Sequence, residues 1–297
     1  MKKTFYKFFA SGLMLIGALN ASAQIAKTPT EDDYYKIISI PAPEGVLLEA
    51  GGVATLPDGR IAVSTRRGDV WTIENPTMEN GAAPQFTLFA SGLHEALGLT
   101  YKEEALYVAQ RGELTKLMDK NGDGKADVYE TVYAWPLSGH YHEYSFGPKI
   151  APDGSFFVTG NVAFGDEEWW RGESRVPWRG WTMKIKPDGT MEPWATGMRS
   201  PCGLGMISGE LFYDDNQGDW QGSGGIFHVT KGSFTGHPAG LKWTNQPNSP
   251  VKLTTEQLYA KVDARQFRRE GQYVKPENIQ DEKDPNFLFE LKNDFQE

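Results

Sequence analysis

The sequence predicts an all-β chain, a β-propeller of the six-bladed type that is incomplete, with about four blades recognisable. Three observations carry this. Strand–turn–strand units recur through residues 52–232, and three of them hinge on Pro-Asp-Gly, at 57–59, 152–154 and 187–189. The runs between turns are short, evenly spaced and rich in β-branched and aromatic residues, as in radially repeated antiparallel sheets. Glycine (33), tryptophan (9), tyrosine (12) and phenylalanine (16) are plentiful, which suits pleated strands joined by tight turns.

The chain opens with Lys2, Lys3 and Lys7, an apolar run over 8–19, and the small residues Ala21-Ser22-Ala23 before Gln24. Residues 1–23 therefore read as a secretory signal peptide. The apolar run is shorter than the ~20 residues a spanning helix needs. No cysteine follows the cleavage site to take a lipid. The expectation is a soluble periplasmic or secreted protein with no membrane span after cleavage.

Without the leader, 27 Lys+Arg face 39 Asp+Glu, a net charge of −12. Such a surface repels nucleic acid and anionic lipid. The single cysteine, Cys202, excludes an intramolecular disulfide.

Residues 24–243 form the expected propeller. Segment 52–75 holds two strand runs about its Pro-Asp-Gly turn and starts a third at Asp69. Segment 97–134 repeats the layout, 144–164 and 180–197 carry the other two Pro-Asp-Gly turns, and 202–232 supplies a further strand pair. After Trp243 the character changes. Residues 244–297 are charged, contain no further clear blade, and predict one helix near 255–265 capped by Thr254.

The outer turn of the second unit is DKNGDGKADVYE, residues 119–130. Asp119, Asn121, Asp123, Lys125, Asp127 and Glu130 stand at positions 1, 3, 5, 7, 9 and 12, with Gly124 at position 6. This is the spacing of an EF-hand calcium loop, in which hard oxygen donors recur at alternate positions. Its flanks alternate like strands, so neither EF-hand helix is expected. A structural calcium on a blade's outer hairpin is the reading, beside that of a plain solvated turn.

Two clusters could carry chemistry. In GHYHEYSFG, His140 and His142 lie two residues apart before a strand, and would share one face if extended. His142 can serve as a general base, since an unperturbed imidazole titrates near neutrality. In GMRSPCGLG, Arg199 begins an inner strand, and the carboxylate-rich turn DDNQG follows one strand pair later, placing cation and carboxylates at the same end. The guanidinium fork suits a planar anionic ligand. The loop 165–181 packs tryptophans and arginines together, fit either for stacking on sugar rings and quinones or for packing on itself.

These pieces in this order resemble the His…FGPDG…, GxRNPxG and …QG… segments of the quinoprotein glucose/sorbosone dehydrogenase family. The resemblance runs over roughly residues 45–243 and is closest to a membrane-bound-dehydrogenase-like subgroup, some of whose members carry a cytochrome c domain. It implies a secreted six-bladed propeller that oxidises a sugar or polyol hydroxyl with pyrroloquinoline quinone (PQQ) and calcium. His142 would be the catalytic base, with His140 as its neighbour. Asn161 falls where the family has an acidic partner for that histidine. Arg199 would stabilise negative charge on the quinone, with Ser200 in place of the usual asparagine. Gln217, Gly218 and Asp219 would form the calcium turn beneath the cofactor. Electrons would pass to a cytochrome c-type acceptor. A non-catalytic carbohydrate- or partner-binding propeller that keeps the structural calcium is the alternative, and a calcium-dependent lactonase-type propeller a third.

Overall fold

A computed structural model of the chain describes residues 28–164, 172–216 and 224–261. Contacts divide it into residues 1–39 and residues 40–297. Within the first unit, Glu31–Asp33 form a single 3-10 turn whose start is closed by the Asp33 carboxylate, which accepts from the Thr30 backbone N–H at 2.8 Å.

The second unit contains four consecutive antiparallel sheets. The first comprises β1 (Ala50–Thr55), β2 (Ile61–Thr65), β3 (Val70–Glu74) and β4 (Gln85–Ala90), paired in that order. The second comprises β5 (Gly98–Lys102), β6 (Ala105–Ala109), β7 (Glu113–Met118) and β8 (Val128–Ala134). In the third, β9 (Ser145–Ile150) and β10 (Phe156–Gly160) are followed by a small ribbon, β11 (Ala163–Phe164) with β12 (Gly172–Glu173). The sheet then continues with β13 (Trp181–Ile185) and β14 (Met191–Thr196). The fourth has three described strands, β15 (Cys202–Ile207), β16 (Glu210–Asp215) and β17 (Gly225–Val229). This is the expected arrangement of four blades of an incomplete propeller.

The three Pro-Asp-Gly turns are one structure used three times. The glycine N–H donates back across the turn, as from Gly59 to Leu56 O at 3.0 Å, and Gly59 sits at φ +88°, where a Cβ would be strained. The aspartate closes each turn from the side. Asp58, Asp153 and Asp188 accept the backbone N–H two residues on, at 3.1, 3.0 and 2.9 Å.

Middle strands such as β6 and β10 are buried on both faces, because each blade is covered by its neighbours on either side. Their sequences are accordingly apolar runs rather than alternations. Three clusters fill the gaps between successive blades. Val70, Leu99 and Val108 pack between blades one and two, Tyr107, Phe156 and Met183 between two and three, and Phe157, Leu211 and Tyr213 between three and four. The inner strands β1, β5, β9 and β15 lie side by side in that order. Glycine permits the approach: a Cβ on Gly98 would lie 1.4 Å from Gly147 O.

The tail returns to the third blade. A 3-10 segment, Pro238–Trp243, and the helix α1 (Thr255–Tyr259) bring Leu241, Val251 and Leu258 onto Trp181. Thr254 caps α1 as expected, its Oγ1 accepting from Gln257 N at 3.3 Å. Its expected continuation to 265 and the rest of the charged tail lie outside the described residues, as does the expected signal peptide. Among the described residues no helix is long and apolar enough to cross a membrane.

Candidate functional site

The loop entering β9, the ribbon strand β11 and the loop entering β15 meet at one end of blades three and four. His142 comes from the first, Phe164 from the second, and Arg199 with Ser200 from the third. The structure brings His142, Arg199 and Ser200 together here, and Phe164 joins them: its ring stacks on the imidazole with centroids 4.3 Å apart and an interplanar angle of 24°. The Arg199 guanidinium lies 5.3 Å from the same ring's centroid.

The protonation of His142 follows from its partners. Nδ1 is 2.7 Å from Val162 O, and a carbonyl oxygen only accepts, so Nδ1 carries the hydrogen. Nε2 of the neutral ring is then a bare acceptor, 3.2 Å from Ser200 Oγ. Burial lowers the pKa of His142 below the usual imidazole value, and the nearby positive charges of Arg199, His140 and Arg179 act the same way, against the opposing pull of the Val162 carbonyl. The ring is therefore neutral at pH 7.

His140 and His142 do not share an extended face. The chain turns at Tyr141 and His142, and His140 Nδ1 accepts the His142 backbone N–H at 3.1 Å. Among the described residues no three His, Cys, Asp or Glu side chains gather as they would about a metal ion. Asn161 makes no hydrogen bond to His142. The backbone carbonyl of the next residue, Val162, orients the imidazole instead. Asn161 is 3 % exposed, and its Oδ1 is buried with no hydrogen-bond partner among the described residues.

Asp215, at the end of β16, holds the Arg199–Ser200 segment in place. Its carboxylate is 4 % exposed and accepts three backbone N–H groups, from Arg199 at 2.9 Å, Ser200 at 3.0 Å and Asn216 at 3.0 Å. Burial raises its pKa above the usual carboxylate value, while these donors pull it down. The carboxylate-rich turn does meet the arginine, as the sequence predicts, but through backbone amides. Gln217, Gly218 and Asp219 lie outside the described residues.

Behind the histidine loop lies a cation that the sequence did not single out. Arg179 is fully buried and donates through Nε to Asn161 O at 2.7 Å, through Nη1 to Ser145 Oγ at 3.1 Å, and through Nη2 to Tyr144 O. It ties the start of β9 to the end of β10, on either side of His142 and Val162. Burial lowers its pKa to about 10, so it stays charged, with the buried Glu143 favouring that charge. Glu143 itself accepts from Ser138 N at 2.7 Å and Ser138 Oγ at 2.9 Å. Arg111 pairs with Glu95 and donates to His140 O at 2.6 Å, bracing the same loop from blade two. In the described part of the 165–181 loop, Trp178 meets the buried Trp181 edge to face at 5.1 Å and packs against the core between blades two and three.

The loop 119–130 lies far from this end, on the outer β7–β8 connection. Asp119 accepts from Gly122 N at 2.7 Å and Gly124 N at 2.8 Å, and these amide bonds hold its pKa low. Asp127 accepts from Lys120 N at 2.8 Å and from Asn121 N at 3.1 Å. Asp123 accepts from Lys125 N at 2.9 Å, and Glu130 lies on β8 opposite Lys116. The loop is tied to blade one, since Ala126 N donates to Phe89 O at 2.8 Å and Ser91 N to Tyr129 Oη at 3.2 Å.

Solved structures similar to the chain include a provisionally assigned oxidoreductase (glucose dehydrogenase) from Thermus thermophilus, 18% identical with a TM-score of 0.51 over 65% of this chain. Others are the PQQ-bound aldose sugar dehydrogenase of Streptomyces coelicolor, 16% identical with a TM-score of 0.48 over 64% of the chain, and the apo soluble aldose sugar dehydrogenase of Escherichia coli, 14% identical with a TM-score of 0.48 over 63%. The chain spans less than two thirds of each of them, 66%, 62% and 62%. The first likeness establishes the propeller fold. No curated protein matches the sequence. A model of the family described as "Domain of unknown function (DUF7133)" matches residues 55–287, so the chain belongs to that family.

Proposed function

We propose that the chain is an exported quinoprotein-type dehydrogenase that oxidises a sugar or polyol hydroxyl, with His142 as general base. The observation that carries the reading is the fixed tautomer of His142: the Val162 carbonyl holds Nδ1–H, and a bare Nε2 faces the Arg199–Ser200 segment. A substrate hydroxyl that takes the place of Ser200 Oγ would deliver its proton to Nε2. Arg199, on the same aromatic stack, would stand beside oxygen atoms that gain negative charge.

PQQ, when bound, supplies the acceptor for the hydride leaving the substrate carbon. The residues present suit such a planar, anionic group. Arg199 places a guanidinium over Phe164, a flat apolar ring, and Asn161 has a buried carboxamide oxygen, unsatisfied among the described residues, that would accept from an N–H of the group. Gln217, Gly218 and Asp219 are proposed as the calcium turn of the cofactor, and the 119–130 loop as a structural calcium site. Periplasmic or extracellular residence and a cytochrome c-type acceptor complete the proposal.

The test is a redox-dye assay with purified chain, PQQ, calcium and a panel of aldoses, alongside quinone binding followed by tryptophan fluorescence. Dye bleaching that His142→Ala abolishes supports the reading. Absence of quinone binding at micromolar concentration sinks it.

A further inference from the structure

We propose that Ser200 and His142 form a nucleophile–base pair that hydrolyses carboxylic esters and lactones, an activity beyond the oxidation reading and independent of it. Three groups stand in the order that nucleophilic acyl transfer requires. The nucleophile's Oγ is 3.2 Å from the base's Nε2, and the base's Nδ1–H is held at 2.7 Å by an acceptor, here the Val162 carbonyl. A carbonyl can take the orienting place of a carboxylate, because the task is to fix the tautomer and the ring plane.

The supporting contacts point the same way. Ser200 is pinned through its backbone N–H by Asp215, so Oγ is presented from a fixed segment. Phe164 stacks on the imidazole and fixes its plane. Arg199 Nη1 lies 3.4 Å from Ser200 Oγ, so a permanent positive charge stands near the place where the carbonyl oxygen of an acyl group bonded to Oγ would become an oxyanion. Ser200 and His142 are both only partly buried, so an acyl group can reach them.

The step balances without an oxidant. Ser200 Oγ bonds to the acyl carbon as its proton moves to His142 Nε2, and the carbonyl π pair moves onto oxygen. Collapse breaks the bond to the leaving alkoxide, which takes the proton from Nε2–H. Water then attacks the acyl-serine with His142 as base, releasing the carboxylic acid and restoring Ser200.

The experiment exposes the purified chain to a fluorophosphonate and maps the adduct by peptide mass spectrometry. In parallel, nitrophenol release from p-nitrophenyl acetate is followed with no quinone and no redox dye present. The expected results are an adduct on Ser200, no adduct and at least a ~100-fold loss of turnover in Ser200→Ala, and a comparable loss in His142→Gln, since a positioned base contributes about 10²–10⁴. Melting curves of both variants report folding. An unlabelled wild-type chain, or a folded Ser200→Ala that keeps turnover within about threefold, overturns the proposal. Because quinone is absent throughout, that outcome says nothing against the oxidation reading, whose own assay can fail separately.

Discussion

Replacing Arg179 by methionine keeps most of the side-chain length and removes the guanidinium behind the histidine loop. Three donated hydrogen bonds disappear, to Asn161 O, Tyr144 O and Ser145 Oγ. Hydrogen bonds from a charged group contribute about 1.5–3 kcal/mol each, so roughly 4–9 kcal/mol of interaction is lost. Against this stands the cost of burying the charge. A guanidinium pKa lowered to about 10 corresponds to about 3 kcal/mol, which the methionine recovers. The net expectation is a loss of about 1–6 kcal/mol, or a Tm lower by about 2–20 °C for a domain of this size. Urea unfolding of wild type and Arg179→Met, followed by tryptophan fluorescence, reads the difference directly. A loss below about 1 kcal/mol would show that the buried cation does not organise the loop, and would remove the physical basis for a rigid His142.

Other expectations follow from single contacts. The lowered pKa of His142 keeps its ring neutral to more acid pH than a free imidazole, so any activity that uses Nε2 as base should fall on an acid limb centred below 6.5. A pH–rate profile with its acid limb above 6.5 contradicts this. Gly98→Ala would drive a methyl group into Gly147 O, 1.4 Å away, and force apart the inner strands of blades two and three. Overpacking there should cost about 3 kcal/mol or more, read by chemical denaturation, and near-wild-type stability would refute the close approach. Calcium at about 100 times its dissociation constant should raise Tm by about 5–10 °C if the 119–130 loop binds it, and Asp119→Ala should abolish the shift. An unchanged melting curve with millimolar calcium rules out the loop as a calcium site.

Local chemistry was legible because it depends on neighbours in sequence. Pro-Asp-Gly specifies its own hairpin, Thr254 with Gln257 specifies its cap, and short β-rich runs at even spacing specify blades. His142 and Arg199 could also be named in advance, as residues standing where strands begin, and Ser200 through the family resemblance. Their relations could not. Nothing in the order of residues says that Val162, twenty positions on, holds His142 through its backbone, or that Asp215 reaches Arg199 and Ser200 through their amides. Main-chain donors and acceptors carry no side-chain signature, so such partners leave no motif. Arg179 was hidden for a related reason: in a loop of arginines and tryptophans, only folding decides which cation is buried. The sequence by itself determined the blades, their turns and the candidate residues; the packing of blade three against blade four decided which of them meet, because that contact alone sets the distance between His142 and Ser200.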